Sequence, residues 1–113
     1  MLTTETLRSF GANVEEGLGR CMNNEAFYLR MVRLSLADGN YDKLVRAAEE
    51  NDLDAAFEAA HALKGVLANL ALTPLSVPTS ELTELLRART PGDYTDAARR
   101  ILALRDELKT LDE

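Results

Sequence analysis

The sequence has very few of the residues that build disulfides, metal sites or aromatic cores. It contains one cysteine, one histidine and no tryptophan, and aromatic residues make up 5% of its 113 residues. Cys21 has no partner for an internal disulfide, and one histidine with one cysteine does not make a zinc set. Acidic calcium-loop spacing is absent. We therefore expect no resident metal and a reducing compartment, the cytoplasm.

Long apolar runs and phosphate loops are also missing. No apolar run approaches the roughly 20 residues of a membrane-spanning helix, and residues 1–5 lack the basic start and apolar stretch of a signal peptide. Gly11, Gly17 and Gly19 do not follow a strand, so they do not predict a nucleotide-binding loop. The formal net charge of −6 disfavours nucleic acid as a partner. The sequence thus predicts binding to neither membrane, nucleotide nor nucleic acid.

The residues that are present favour helices. Apolar residues make up 46% of the chain, Ala, Leu, Glu and Arg are common, and Val, Ile and aromatic residues are scarce. This length predicts one domain, residues 1–113. Residues 1–22 are predicted to form short helical pieces that cap one end of a bundle formed by residues 23–111. Asn13 is a candidate N-cap there, with Glu16 at the third helical position.

Two interpretations compete for residues 24–50. A helix is predicted to begin at Asn23 or Asn24, and its apolar residues keep one helical phase through a local turn signal at 38–40. The segment is either two helices or one long helix bent at Gly39, and the preserved phase favours the long helix. The residues predicted to face the core are Phe27, Met31, Leu34, Tyr41, Val45 and Ala48.

The remaining sequence predicts three further helices. One covers roughly 53–72 after an Asn51-Asp52 cap, one begins at Thr73-Pro74, and the last covers about 94–110. Pro78 lies too deep for a first turn, so it should kink its helix or delay the regular part until about Thr79 or Ser80. Four substantial helices with short connections predict an all-α, antiparallel up-and-down four-helix bundle. The predicted core positions are Leu53, Ala56, Ala60, Leu63, Leu67 and Leu70, then Leu82, Leu85 and Leu86, then Ala97, Ile101, Leu104, Leu108 and Leu111.

Residues 60–70 are the most informative stretch. His61 lies in mid-helix, and Lys64 and Gly65 follow at i+3 and i+4 on the same face. A glycine inside a helix costs about 1 kcal/mol relative to alanine, so Gly65 needs a reason. A small residue beside a histidine leaves room for a large group to approach the imidazole ring. A lysine on the same face favours a group that is negatively charged. Gly65 could instead permit close helix packing, and an isolated histidine is more often structural.

This stretch resembles the signature of histidine-containing phosphotransfer (HPt) domains, which reads roughly A-H-x-L-K-G-x-x-x-N-L-G. The family's last glycine is replaced by Ala71, which predicts a longer helix or a different exit of the chain. Residues 25–34 and 80–86 are also similar to the family. The matching residues are Ala60, His61, Leu63, Lys64, Gly65, Asn69 and Leu70.

The resemblance implies a phosphorelay intermediate of bacterial two-component signalling, not a kinase. His61 would accept a phosphoryl group on Nε2 from a receiver-domain aspartate and pass it reversibly to another receiver. Lys64 would stabilise the phosphoryl charge, and Gly65 would give access. No cofactor is expected in this chain, since Mg²⁺ would belong to the receiver. A monomer is the expected state.

Four residues are candidates for receiver contacts. Phe57 is the apolar anchor candidate, Ala68 adds a flat patch, and Arg30 and Arg33 could meet an acidic rim. Each has a plainer interpretation, Phe57 as a boundary core residue and the arginines as a solvated face. Three other functions stay open: a receiver-binding adaptor without phosphotransfer, an enzyme that uses His61 as a general base, and the phosphotransfer domain of a chemotaxis-type kinase.

Overall fold

Every regular element of the protein is helical. The computed structural model describes residues 1–112, and no strand occurs among them; the last residue of the predicted domain, 113, lies outside the described residues. This confirms the all-α class. The helices are α1 (Thr4–Phe10), α2 (Val14–Arg20), α3 (Glu25–Leu36), α4 (Asn40–Glu49), α5 (Leu53–Asn69), α6 (Thr73–Arg87) and α7 (Thr95–Thr110).

The four C-terminal helices pack in a ring. α5 lies between α4 and α6, and α7 contacts both α4 and α6. Asp54, near the start of α5, pairs with Arg89, which lies just after α6. Lys64, later in α5, pairs with Glu84, which lies earlier in the chain than Arg89. The order of these contacts along α5 is thus reversed along α6. The ring therefore brings the α5 surface that carries residues 54–64 beside the second half of α6.

The N-terminal helices begin at side-chain caps, as predicted for the second of them. Asn13 Oδ1 accepts a hydrogen bond from the backbone N–H of Glu16, which confirms Asn13 as an N-cap. Its own backbone N–H donates to the carbonyl of Ala71 at 3.0 Å. Buried residues of α1 and α2, including Leu7 and Val14, belong to the same hydrophobic cluster as those of the ring. The N-terminal segment thus shares its core with the later helices.

The prediction of one long helix over 24–50 was wrong. The chain leaves helical geometry between α3 and α4, where Asp38 Oδ1 accepts the backbone N–H of Asn40 at 2.8 Å. This side chain takes the place of a helical carbonyl, which is how aspartate competes with a helix. The buried face of α3 is also displaced from the predicted one: Phe27 and Leu34 are exposed, and Tyr28, Val32, Ser35 and Leu36 are buried.

The predicted end of α5 was wrong, because the helix ends at Asn69, before residue 72. Helix α6 is regular from Thr73 and includes Pro78, so the regular part of this helix is not delayed to about residue 80. Ala71 has a φ of +55°, so the position of the family glycine keeps left-handed geometry although alanine occupies it. The N–H groups of Ala71 and Leu72 donate to the carbonyls of Ala68 and Leu67, which is a Schellman ending.

Most predicted core positions of the last three helices are confirmed. Three predicted core residues are exposed instead, Leu85, Ala97 and Leu111, and Ala98 takes the inward place on α7. Leu53 and Leu104 are half-buried at the edge of the core. The fully covered positions are Ala56, Ala60, Leu63, Leu67, Leu70, Leu82, Leu86, Ile101 and Leu108.

Candidate functional site

His61 projects from the exposed side of a helix whose other side is deeply buried. Asp52 begins α5 as an N-cap, its side chain accepting from the N–H of Ala55. Ala60 and Leu63, on either side of His61 in sequence, are almost fully covered, whereas His61 itself is exposed. Within residues 1–112 no group hydrogen-bonds to either ring nitrogen. The imidazole is therefore open to solvent on a fixed backbone.

The imidazole rests against an aromatic ring one turn earlier. The rings of Phe57 and His61 have centroids 5.5 Å apart and planes 13° apart. Phe57 is half-buried and packs against the core, and the guanidinium carbon of Arg87 lies 5.1 Å from its ring centroid. Phe57 is therefore a boundary core residue that also contacts the histidine ring, and its role as an apolar anchor for a receiver stays a prediction.

Lys64 is engaged by a carboxylate of the neighbouring helix. Its Nζ donates to Oε1 of Glu84 at 3.1 Å, while Nε of Arg87 donates to Oε2 of the same carboxylate at 3.3 Å. The hydrogen bond from Lys64 and the charge of Arg87 hold the pKa of Glu84 below its ordinary value. Glu84 is therefore an ionised group shared by two cations, one of which, Lys64, lies one turn after His61.

Gly65 has no packing role in this structure. A Cβ atom built on it would meet no atom within 4 Å, apart from its own helix backbone and chain neighbours. The interpretation that Gly65 permits close helix packing is therefore wrong. The missing side chain leaves open surface one turn after His61, where the resemblance predicts access for a partner.

A shallow groove begins one turn before the histidine. It encloses about 450 Å³ between the first half of α5 and the end of α6. Two of its lining residues, Arg89 and Asp54, form an ion pair 2.7 Å long. His61 does not line this groove, so it offers no cleft in which the imidazole could act as a general base. The lining residues are Asp54, Phe57, Glu58, Leu86, Arg87 and Arg89.

The end of α5 is held by a residue far away in sequence. Nη1 of Arg20 donates to the carbonyls of Ala68 and Asn69, and Nη2 of Arg20 pairs with Glu16. A cation at this end also opposes the negative pole of the helix dipole. Ala68 is exposed, as its predicted place beside the histidine face requires.

The two predicted arginines of α3 lie in different settings. Arg30 is exposed. Arg33 is exposed too, but its Nε pairs with Asp112 at 3.2 Å and its Nη2 lies 3.5 Å from the carbonyl of Leu2. The structure thus joins Arg33 to the two ends of the described chain, and brings Lys64, Gly65 and Phe57, not Arg33, together with His61.

Sequence reasoning missed the residues that reach the site from other helices. Glu84 and Arg87 come from α6 and Arg20 from α2, and each contact spans a sequence separation of 20 or more residues. The residues around a charged side chain on a surface helix do not indicate which residue of another helix will pair with it. Only the i, i+3 spacing of Glu84 and Arg87 was visible in the sequence, as a possible ion pair within α6.

Residues 1–112 hold no cluster of metal-ligating side chains and no helix long and apolar enough to cross a membrane. Residues 29–113 match the family model of the Hpt domain. Searches of curated proteins and of solved structures each found no significant match. The chain belongs to the Hpt domain family, whose members are histidine phosphotransfer intermediates of phosphorelays and not kinases.

Proposed function

We propose that this chain accepts a phosphoryl group on His61 from the aspartyl phosphate of a receiver domain and passes it reversibly to another receiver. The observation that carries the proposal is the exposed imidazole in the middle of α5, with no hydrogen bond to either nitrogen among the described residues. A donor that is itself a protein needs such an open acceptor. The direction of transfer follows from the phosphorylation states of the two partners.

The chemical step needs only a neutral imidazole. The lone pair of Nε2 attacks phosphorus, a P–N bond forms, and the P–O bond to the receiver aspartate breaks with its electron pair staying on the carboxylate. The proton on Nδ1 remains in place, so the phosphorylated ring is an imidazolium and charge is conserved. The fixed backbone of α5 lowers the entropy that would be lost in orienting the acceptor.

Lys64 and Gly65 have separate parts in this proposal. The ammonium of Lys64, one turn from His61, stabilises the negative phosphoryl oxygens during transfer and in the product. Open space above Gly65 lets the receiver's active-site loop approach the ring, which the absence of any atom within 4 Å of a Cβ built there supports.

The receiver is proposed to dock on the face around His61. Phe57 offers an apolar surface, Ala68 a flat one, and Arg30 an exposed charge for an acidic rim. Arg33 would have to leave Asp112 to take part.

The wider setting is proposed from the family. The chain acts in the cytoplasm as a monomer, as one domain whose α4–α7 form an antiparallel up-and-down bundle; the paired positions along α5 and α6 support that direction. It brings no cofactor of its own, because the Mg²⁺ of the reaction belongs to the receiver.

Transfer from a phosphorylated receiver tests the proposal. Several receiver domains, charged with a labelled acyl phosphate, are mixed with the wild-type chain, with His61→Gln, and with Lys64→Ala. We expect acid-labile, base-stable label on the wild type, none on His61→Gln, and slower labelling of Lys64→Ala. Lys109→Ala, a lysine of α7, is the matched control and should transfer like the wild type.

Two results would contradict phosphoryl transfer to His61. If folded wild-type protein binds a phosphorylated receiver and takes up no label, the chain is a receiver-binding adaptor. Label that persists on His61→Gln would place the phosphoryl group on another residue, since His61 is the only histidine.

A further inference from the structure

The cation expected to meet the phosphoryl group is already occupied. Lys64 Nζ lies 3.1 Å from Oε1 of Glu84, and the two side chains are 32% and 54% exposed. The sequence alone placed Lys64 on the face of His61 and predicted no partner for it other than the phosphoryl group. The structure shows instead that any anion bound by Lys64 has to replace, or share, a carboxylate.

Glu84 is also linked, through its two ion-pair partners, to the residues that precede and follow the acceptor by one turn of α5. Its helix presents Arg87 over the ring of Phe57, which stacks on His61 from the preceding turn. Lys64 lies one turn after His61, about 4.5 Å further along the helix axis. Glu84 thus bonds to Lys64, one turn after His61. It also pairs with Arg87, whose guanidinium lies over the ring of Phe57, one turn before His61.

We propose that Glu84 is a placeholder anion: it holds Lys64 while His61 is unphosphorylated and yields Lys64 to the phosphoryl oxygens when His61 is phosphorylated. This inference rests on the proposed function. It makes Glu84 a positioning residue that acts through Lys64 and does not touch the reacting atoms.

The exchange has a low cost for Glu84. Its second oxygen keeps the contact with Arg87 at 3.3 Å, and the carboxylate is half-exposed to water, so losing Lys64 does not leave a buried, unpaired charge. A phosphoryl group carries more negative charge than a carboxylate, so it competes effectively for the same ammonium. No bond is made or broken in Glu84 or Lys64 during the exchange.

The proposal predicts that Glu84 opposes phosphorylation at equilibrium. Exposed ion pairs contribute modestly, and releasing Lys64 from one should raise the equilibrium constant for phosphohistidine formation about two- to five-fold. The experiment measures how label divides between one receiver and this chain, for the wild type, Glu84→Gln and Glu81→Gln. Glu81 is an exposed glutamate of the same helix with the same charge, so Glu81→Gln controls for the loss of one negative charge.

A second measurement separates action through Lys64 from other causes. In a Lys64→Gln background, the effect of Glu84→Gln should fall to that of the Glu81→Gln control. A purely structural role of Glu84 would change thermal unfolding without moving the division of label, so unfolding is followed for each variant.

The experiments distinguish a failure of the proposed function from a failure of the placeholder role of Glu84. If the wild-type chain takes up no label, the proposed function fails and this inference with it. If the wild type is labelled and Glu84→Gln divides label like Glu81→Gln, or if it shifts label toward the receiver, only the placeholder role is overturned. The placeholder role is also overturned, and the proposed function kept, if the effect of Glu84→Gln persists in full without Lys64.

Discussion

The imidazole of His61 lies nearly parallel to the phenyl ring of Phe57, with planes 13° apart and centroids separated by 5.5 Å. This distance is within the range of favourable aromatic pairs, which contribute about 0.5–1.5 kcal/mol. The exposed acceptor is thus oriented by an apolar ring, and among the described residues by no hydrogen bond. Phe57 is half-buried against the core, so it links the position of the imidazole to the packing of α5.

Replacing Phe57 with leucine should free the imidazole while keeping an apolar side chain. We expect the ring-proton NMR resonances of His61 to shift downfield, because the ring current of Phe57 is lost, and phosphoryl transfer to slow several-fold. The single histidine makes these resonances unambiguous. Phe27→Leu, an exposed phenylalanine of α3, is the control and should leave them unchanged. Unchanged resonances in Phe57→Leu would contradict the stack.

Replacing Gly65 with alanine should move stability and activity in opposite directions. Alanine favours the helix by about 0.8–1 kcal/mol over glycine, and the added Cβ meets no atom, so the free energy of unfolding should rise. The methyl group narrows the approach to His61, so transfer from a receiver should slow. Denaturant unfolding and transfer kinetics measure the two effects.

Gly19→Ala is the matched control for this substitution. Gly19 is also helical and exposed, with open space where its Cβ would lie. The Gly19→Ala protein should show a comparable rise in the free energy of unfolding and should accept the phosphoryl group at the wild-type rate. If Gly65→Ala also transferred at the wild-type rate, the role of Gly65 in access would be wrong.

Replacing Ala71 with glycine should stabilise the protein. Ala71 has a φ of +55°, a left-handed conformation that costs an L-residue about 1–2 kcal/mol, whereas glycine adopts it freely. Part of this gain is offset by the greater freedom of glycine in the unfolded chain, so we expect a net increase of about 0.5–1 kcal/mol in denaturant unfolding.

Ala68→Gly provides the contrast, since Ala68 lies inside α5 with helical geometry. Glycine there should lower the free energy of unfolding by about 1 kcal/mol. Equal destabilisation by both substitutions would show that position 71 is not left-handed in solution.

Alkaline pH should weaken the fold through buried tyrosines. Burial raises the pKa of Tyr28 to about 12, compared with about 10 for a tyrosine in the unfolded chain, and burial raises the pKa of Tyr41 as well. The folded state therefore holds these protons more tightly. Their contribution to stability is complete below pH 10 and is lost progressively as pH rises toward and through the folded values.

Urea unfolding between pH 8 and pH 11.5 measures this loss, with tyrosine ionisation followed by absorbance. Tyr28→Phe should be less stable than the wild type at pH 8 by about 1 kcal/mol, because the hydroxyl no longer donates to the carbonyl of Leu70. Its stability should also decline less steeply above pH 10. If the stability of Tyr28→Phe declined above pH 10 as steeply as that of the wild type, ionisation of Tyr28 would not contribute to the alkaline loss of stability.

Local sequence signals predicted correctly where several helices begin. They predicted the buried face correctly for some helices and wrongly for α3. Asn13, Asn24 and Asp52 each cap a helix through their own side chains, because capping depends only on residues within one turn. The face of α3 was misassigned by one residue. Periodicity could not tell Phe27 from Tyr28, and the contact that Tyr28 makes in the core, a hydrogen bond to the carbonyl of Leu70, lies 42 residues away in sequence.

Two local signals were outweighed by tertiary structure. Pro78 did not delay the regular part of α6, a helix whose inner face buries Leu75 and Leu82 on either side of it. Ala71 kept the backbone geometry of a glycine because the carbonyls of Ala68 and Leu67 accept hydrogen bonds from its own N–H and from that of Leu72. For the site, the sequence supplied His61, Lys64 and Gly65, but the partner of Lys64 depended on how α5 packs against α6.

The helix that carries His61 is held at its end by residues outside the family match, which begins at residue 29. Arg20 binds two of its last carbonyls, Asn13 donates to Ala71, and Gly17 lies so close to Tyr28 that a Cβ there would come within 2.5 Å of the ring. A chain trimmed to the matched segment would retain every residue of the phospho-acceptor motif and lose these supports. The stretch by which the family is recognised is therefore shorter than the stretch that contacts the end of its acceptor helix.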